Sequence, residues 1–101
     1  MAQPLRIHRL ARQEINQALR WYTERSFGVA VRLRDLIRHS LQTIIASPES
    51  WPAFHQTVRA YQLKTFPYVF VYALEDNEVL IIAFQHTSRR PGYWMRRLKI
   101  V

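Results

Sequence analysis

The sequence predicts a single α+β domain, in which an N-terminal helical hairpin packs on a largely antiparallel sheet in the order β-α-α-β-β-β and a short basic helix ends the chain. Three observations carry that expectation. The apolar period is two at the start of the chain, three and four through residues 11–45, and two again between residues 57 and 86. Only two glycines and five prolines punctuate the 101 residues, so the breaks are few and legible. A chain of this length with 49% hydrophobic content suits one domain, spanning residues 1–101, with a core of its own.

Each element has a local reason. Residues 4–9 alternate Leu5 and Ile7 with Arg6 and His8, which reads as a short first strand. Ala11, Ile15, Ala18, Leu19 and Tyr22 then share one face of a helix. Ser26-Phe27-Gly28 breaks it, with the glycine as the expected C-terminal stop. Leu33, Leu36, Ile37, Leu41, Ile44 and Ile45 form the inward stripe of a second helix, which ends before Pro48. A loop over residues 47–56 follows. Residues 57–64, 68–74 and 79–86, rich in Val, Ile, Tyr and Phe, read as three strands. Thr65-Phe66-Pro67 bends the chain between the first two, and Glu75-Asp76-Asn77-Glu78 makes a tight hairpin turn between the last two. The stretch from Val79 to Phe84 is apolar on both faces and predicts a central strand. One face should meet the helices. The other needs a cover, either residues 91–101 or a partner protein.

Composition excludes several classes. With no cysteine there is neither a disulfide framework nor a thiolate metal site, which fits a reducing compartment. No apolar signal stretch follows Met1, and no run is long enough to cross a bilayer, so a cytoplasmic, membrane-free protein is expected. No glycine-rich phosphate loop is present, and His8, His39, His55 and His86 show no pair at ligand spacing; no cofactor and no metal are expected. Glu75, Asp76 and Glu78 crowd one turn, where solvation explains them better than a hydrolytic pair.

Charge is more telling. The net charge of +8 comes from fifteen Lys and Arg against seven Asp and Glu. Arg6, Arg9 and Arg12 have no acid among residues 1–13, and Arg89, Arg90, Arg96, Arg97 and Lys99 have none among residues 85–101. The body between them is neutral. Single-sign segments raise a positive potential that attracts polyanions or an acidic partner. In the segment from Gln85 to Arg97, a strand ends at His86, two arginines follow, Pro91-Gly92 turns the chain, and Tyr93-Trp94 leads a basic helical turn. Arginine forks and aromatic faces suit RNA, DNA or an acidic peptide and do not choose among them. Tyr93 and Trp94 either stack on a ligand or, as aromatics after a turn more often do, pin the terminal helix to the core. His86 is placed either as a general base or as a histidine satisfied by the backbone. Arg34 and Arg38, one turn apart, read as a solvated helix face.

Several motifs in this order resemble a known family. They are Arg20-Trp21-Tyr22 on the first helix, Ser47-Pro48-Glu49 after the second, Val58-Arg59, the strand Phe66-Pro67-Tyr68-Val69-Phe70-Val71-Tyr72, and the ending His86-Thr87-Ser88-Arg89-Arg90-Pro91-Gly92-Tyr93-Trp94. Together they resemble the RelE/ParE toxin superfamily, and within it the ParE-like branch of plasmid stabilisation proteins. The resemblance implies the toxin of a bacterial type II toxin–antitoxin system, bound and neutralised by a cognate antitoxin in a hetero-oligomer. It also implies one of two activities. ParE-like members inhibit DNA gyrase by binding it, whereas RelE-like members cleave mRNA on the ribosome. For binding, the segment Arg89, Arg90, Tyr93, Trp94, Arg96 and Arg97 is the expected surface. For a nuclease, the matching positions are Arg59, Lys64, His86, Arg89 and Tyr93, because attack by a 2′-hydroxyl needs a base, an acid and cations for the developing charge. The stretch from Arg59 to Lys64 lacks the close lysine pair of the RelE branch, which favours the gyrase inhibitor.

Overall fold

In the computed structural model, which describes residues 3–99, two antiparallel helices lie on one face of a five-stranded sheet. The elements are β1 (Leu5–Ile7), α1 (Arg9–Arg25), α2 (Phe27–Ala46), β2 (Ala53–His55), β3 (Val58–Gln62), β4 (Tyr68–Glu75) and β5 (Glu78–His86), with 3-10 turns at Pro48–Ser50 and Met95–Lys99. The sheet order is β1-β5-β4-β3-β2, antiparallel throughout except that β1 runs parallel to β5. The expected α+β architecture is therefore present. Among the described residues, no helix is long and apolar enough to cross a membrane.

α1 starts at His8, whose Nδ1 accepts the Leu10 amide at 3.0 Å and so satisfies one of the orphan donors of the first turn. It buries Ala11, Ile15 and Ala18, the stripe that the sequence period marks. The break after it is made differently from the expectation. Ser26 is at once the C-cap of α1, donating its amide to the Tyr22 carbonyl at 2.7 Å, and the N-cap of α2, accepting the Val29 amide at 3.3 Å. Gly28 stands in the first turn of α2 and stops nothing. A serine with an extended backbone turns the chain and caps both sides, which leaves no need for a left-handed glycine.

A second correction concerns residues 47–56, expected as loop. They contain the Pro48–Ser50 turn and the edge strand β2. Three residues are too few to show a period, and the β2 to β3 register is irregular, so only pairing with β3 reveals the strand. The β4 to β5 turn is as expected: Asp76 and Asn77 have φ of 53° and 58°, the doubly left-handed geometry that matches the twist of a two-residue hairpin. β5 lies inside the sheet between β1 and β4, as its apolar faces require, although β4 holds the middle position.

The sheet divides the core in two. Facing the helices are Phe70, Tyr72, Val79, Ile81 and Phe84, packed with Leu33, Ile37 and Ile44 of α2 and the α1 stripe. Facing away are Val58, Val71, Ala73, Ile82 and Ala83, covered by Trp94. Ile82 and Ala83 are adjacent yet share a face, because the register slips between Val71 and Tyr72: Val71 opposes Ala83 and Tyr72 opposes Ile81, leaving Ile82 as a bulge. Of the two covers expected for the outer face, the chain's own C-terminal segment supplies one. Trp94 is 3% exposed and donates its indole N–H to Gln85 at 3.0 Å.

Candidate functional site

The C-terminal segment leaves β5 through a turn at residues 87–92. His86 Nδ1 accepts the Ser88 amide at 3.0 Å, and Gly92 takes φ +83°, a conformation that favours glycine. The segment then returns across β5 toward α1, where it meets a carboxylate that no sequence motif singled out. Glu14 accepts from Tyr93 Oη at 2.8 Å and from both terminal nitrogens of Arg97 at 3.1 and 2.9 Å, a bidentate pair. It also accepts the Phe84 amide at 3.0 Å, while Arg97 donates to the Ile82 carbonyl at 2.9 Å. Arg89 lies 3.8 Å from the Tyr93 ring centroid and 4.0 Å from Glu14 Oε2. Burial, followed by the hydrogen bond to Glu14 and the negative charge of Glu14, pushes the Tyr93 phenol well above its ordinary value.

Glu14 had one sequence signal. It sits three residues after Ala11 and four before Ala18, a lone carboxylate on an otherwise apolar helix stripe. A charge there needs a partner from elsewhere in the fold.

Of the binding residues expected from sequence, Arg89, Arg90 and Arg96 are exposed. Arg97 and Trp94 face inward, and Tyr93 is half-buried. Of the residues expected for RNA cleavage, His86, Arg89 and Tyr93 lie near one another, but Arg59 and Lys64 do not join them. Arg59 stands opposite Tyr72 on the helix-facing side and donates to the backbone carbonyls of Trp51 and Glu49, tying the Pro48–Ser50 turn to β3. Tyr72 Oη donates to the Pro48 carbonyl at 2.6 Å in the same corner, and burial raises its pKa to about 12. Lys64 is exposed in the connection between β3 and β4. His86 and Arg89 do share a groove of about 340 Å³ with Glu14, Trp21, Tyr22 and Tyr68. A second groove of about 470 Å³ crosses the outer face among Phe54, Val71, Pro91, Trp94 and Met95, with Phe54 left 57% exposed. Among the described residues, no group of His, Asp and Glu could hold a metal ion.

Residues 5–91 match the family model described as the ParE toxin of type II toxin–antitoxin system, parDE. Tyr93, Trp94 and Arg97 lie beyond that stretch. A search of curated proteins found no match. Among solved structures, the fold resembles a chain of the chromosomal ParDE toxin–antitoxin system from P. aeruginosa, with a TM-score of 0.74 and 14% identity over 86% of this chain and 98% of that one.

Proposed function

The chain belongs to the ParE toxin family of type II toxin–antitoxin systems, and from that premise we propose that it is a toxin that inhibits DNA gyrase by direct binding and is neutralised by a cognate antitoxin. The gyrase target comes from the family resemblance. The choice of binding over RNA cleavage is supported by one observation: Arg59 and Tyr93, two of the five residues a nuclease would need, are spent on internal hydrogen bonds. A phenol held protonated by burial and by Glu14 is a poor base near neutral pH. Arg90 and Arg96, by contrast, are exposed and can fork onto carboxylates of a protein partner, while Arg89, also exposed, lies over the Tyr93 ring.

Antitoxin binding draws on two surfaces. An amphipathic acidic segment would cover Phe54 and Met95 on the outer face, or Trp21 and Phe27 on the hairpin, and offset part of the terminal positive charge. Its electrostatic share should weaken as salt shortens the Debye length to about 8–10 Å.

The purified toxin should block gyrase supercoiling, and the double variant Arg89→Ala with Arg90→Ala should block it less. Unchanged supercoiling at high toxin excess would sink the proposal. Cuts phased with codons on translated mRNA, read by primer extension after induction, would move the chain to the nuclease class instead.

A further inference from the structure

The outer edge of β5 is covered in two different ways. Over residues 79–81 the strand pairs with β1, flanked by the bonds Val79 amide to Pro4 carbonyl at 2.9 Å and His8 amide to Ile81 carbonyl at 2.8 Å. Past Ile81, β1 has ended. The bulge at Ile82 presents the Ile82 carbonyl and the Phe84 amide where, among the described residues, no strand meets them, and side chains take the strand's place: Arg97 on the carbonyl, Glu14 on the amide. Glu14 and Arg97 also grip each other, with both side chains only 11% exposed. A hydrogen-bonded charge pair at that burial is stable intact and costly half-broken.

The same carboxylate reaches the candidate binding surface. Its Oε2 accepts from Tyr93, the ring of Tyr93 carries Arg89, Trp94 plugs the outer face between Tyr93 and the 3-10 turn, and Arg96 precedes Arg97 on that turn. Arg89 and Arg96 thus flank a stretch of chain whose anchor lies on α1.

We propose that Glu14 is the positioning residue of the toxin's binding surface: its carboxylate latches residues 93–97 to the edge of β5 and so fixes where Arg89 and Arg96 stand. Glu14 itself does not meet the target. The functional half of this proposal rests on the gyrase reading above, whereas the structural half does not.

The test uses the full chain carrying Trp21→Phe and Trp51→Phe, which leaves Trp94 as the sole indole. In this background Glu14→Gln should bring acrylamide quenching of Trp94 to the level of a solvent-exposed indole and raise the concentration that inhibits supercoiling by about tenfold, equivalent to 1.4 kcal/mol of binding. Glu14→Asp, which keeps the charge, should recover part of both. Tyr93→Phe removes only one bond and spares the fold, so it serves if Glu14→Gln fails to fold; it should raise Trp94 quenching part of the way. Trp94 that stays shielded in the folded variants overturns the latch, whatever gyrase does. Trp94 that is released while inhibition is unchanged overturns the positioning role. If the parent chain leaves gyrase untouched, the gyrase reading fails alone, and quenching still decides the latch.

Discussion

The two faces of the sheet are closed by different physics. On the inner face, aromatic and branched side chains of β4 and β5 meet two helices, and among the described residues Ser40 is the one buried polar or charged residue. On the outer face, small and β-branched residues are roofed by a single tryptophan, and the strap that carries it is held by Glu14, Arg97 and Tyr93. Burial is non-directional and tolerates a helix that shifts by a fraction of an ångström, whereas a bidentate charge pair does not. The inner face therefore sets stability. The outer one sets the geometry of the charged end.

Substitutions should separate the two. Phe84→Ala on the inner face should lose about 3–5 kcal/mol and lower the midpoint of a urea melt followed by circular dichroism, with the whole fold lost together. Tyr93→Phe on the outer face should lose about 1.5–2 kcal/mol, the worth of a hydrogen bond to a charged group. Hydrogen exchange should show its loosening confined to the strap and the Phe84 amide. Equal loosening of α2 would collapse the distinction between the faces. Ser40, buried with no hydrogen-bond partner for its hydroxyl among the described residues, should move the other way. Ser40→Ala should gain about 1 kcal/mol, read as a higher melting temperature.

The smallest effect falls where the faces meet. Burial, then the charges of Arg97 and Arg9, lower the His8 pKa from its ordinary 6.5, with Glu14 opposing. The unfolded chain then binds the proton more tightly than the folded one, so stability is present above pH 6.5 and declines as pH falls through the depressed folded value. Protonation also removes the Nδ1 acceptor that caps α1. The expected loss is about 0.5 kcal/mol, the low end of what an N-cap contributes. Thermal melts at pH 7.5 and 5.5 should show it, and His8→Asn, which keeps an acceptor but does not titrate, should abolish this part of the pH dependence.

Much of this was legible in the chain. The apolar periods located both helices and the three long strands, and the charge asymmetry drew attention to the segment from His86 to Arg97. β2 was hidden because three residues carry no period. Ser26 was hidden because a capping serine two residues before a glycine looks like a glycine stop. Within the candidate site, the sequence grouped Arg89, Arg90, Arg96 and Arg97 as one basic surface, and the fold divides them. Arg97 is drawn inward by Glu14, 83 residues earlier in the chain, while the other three stay exposed.

By itself, then, the sequence determined what depends on neighbours along the chain: the type and order of the helices and longer strands, the hairpin turn, and where the charge excess lies. The tertiary structure alone decided which charges are free and which are fastened. That choice depends on a bulge at Ile82 and on the early end of β1, which leave a carbonyl and an amide unpaired at a sheet edge. Only a folded chain brings Glu14 and Arg97 together to satisfy them, because hydrogen bonds are short and directional while sequence periodicity records only which side of an element is apolar.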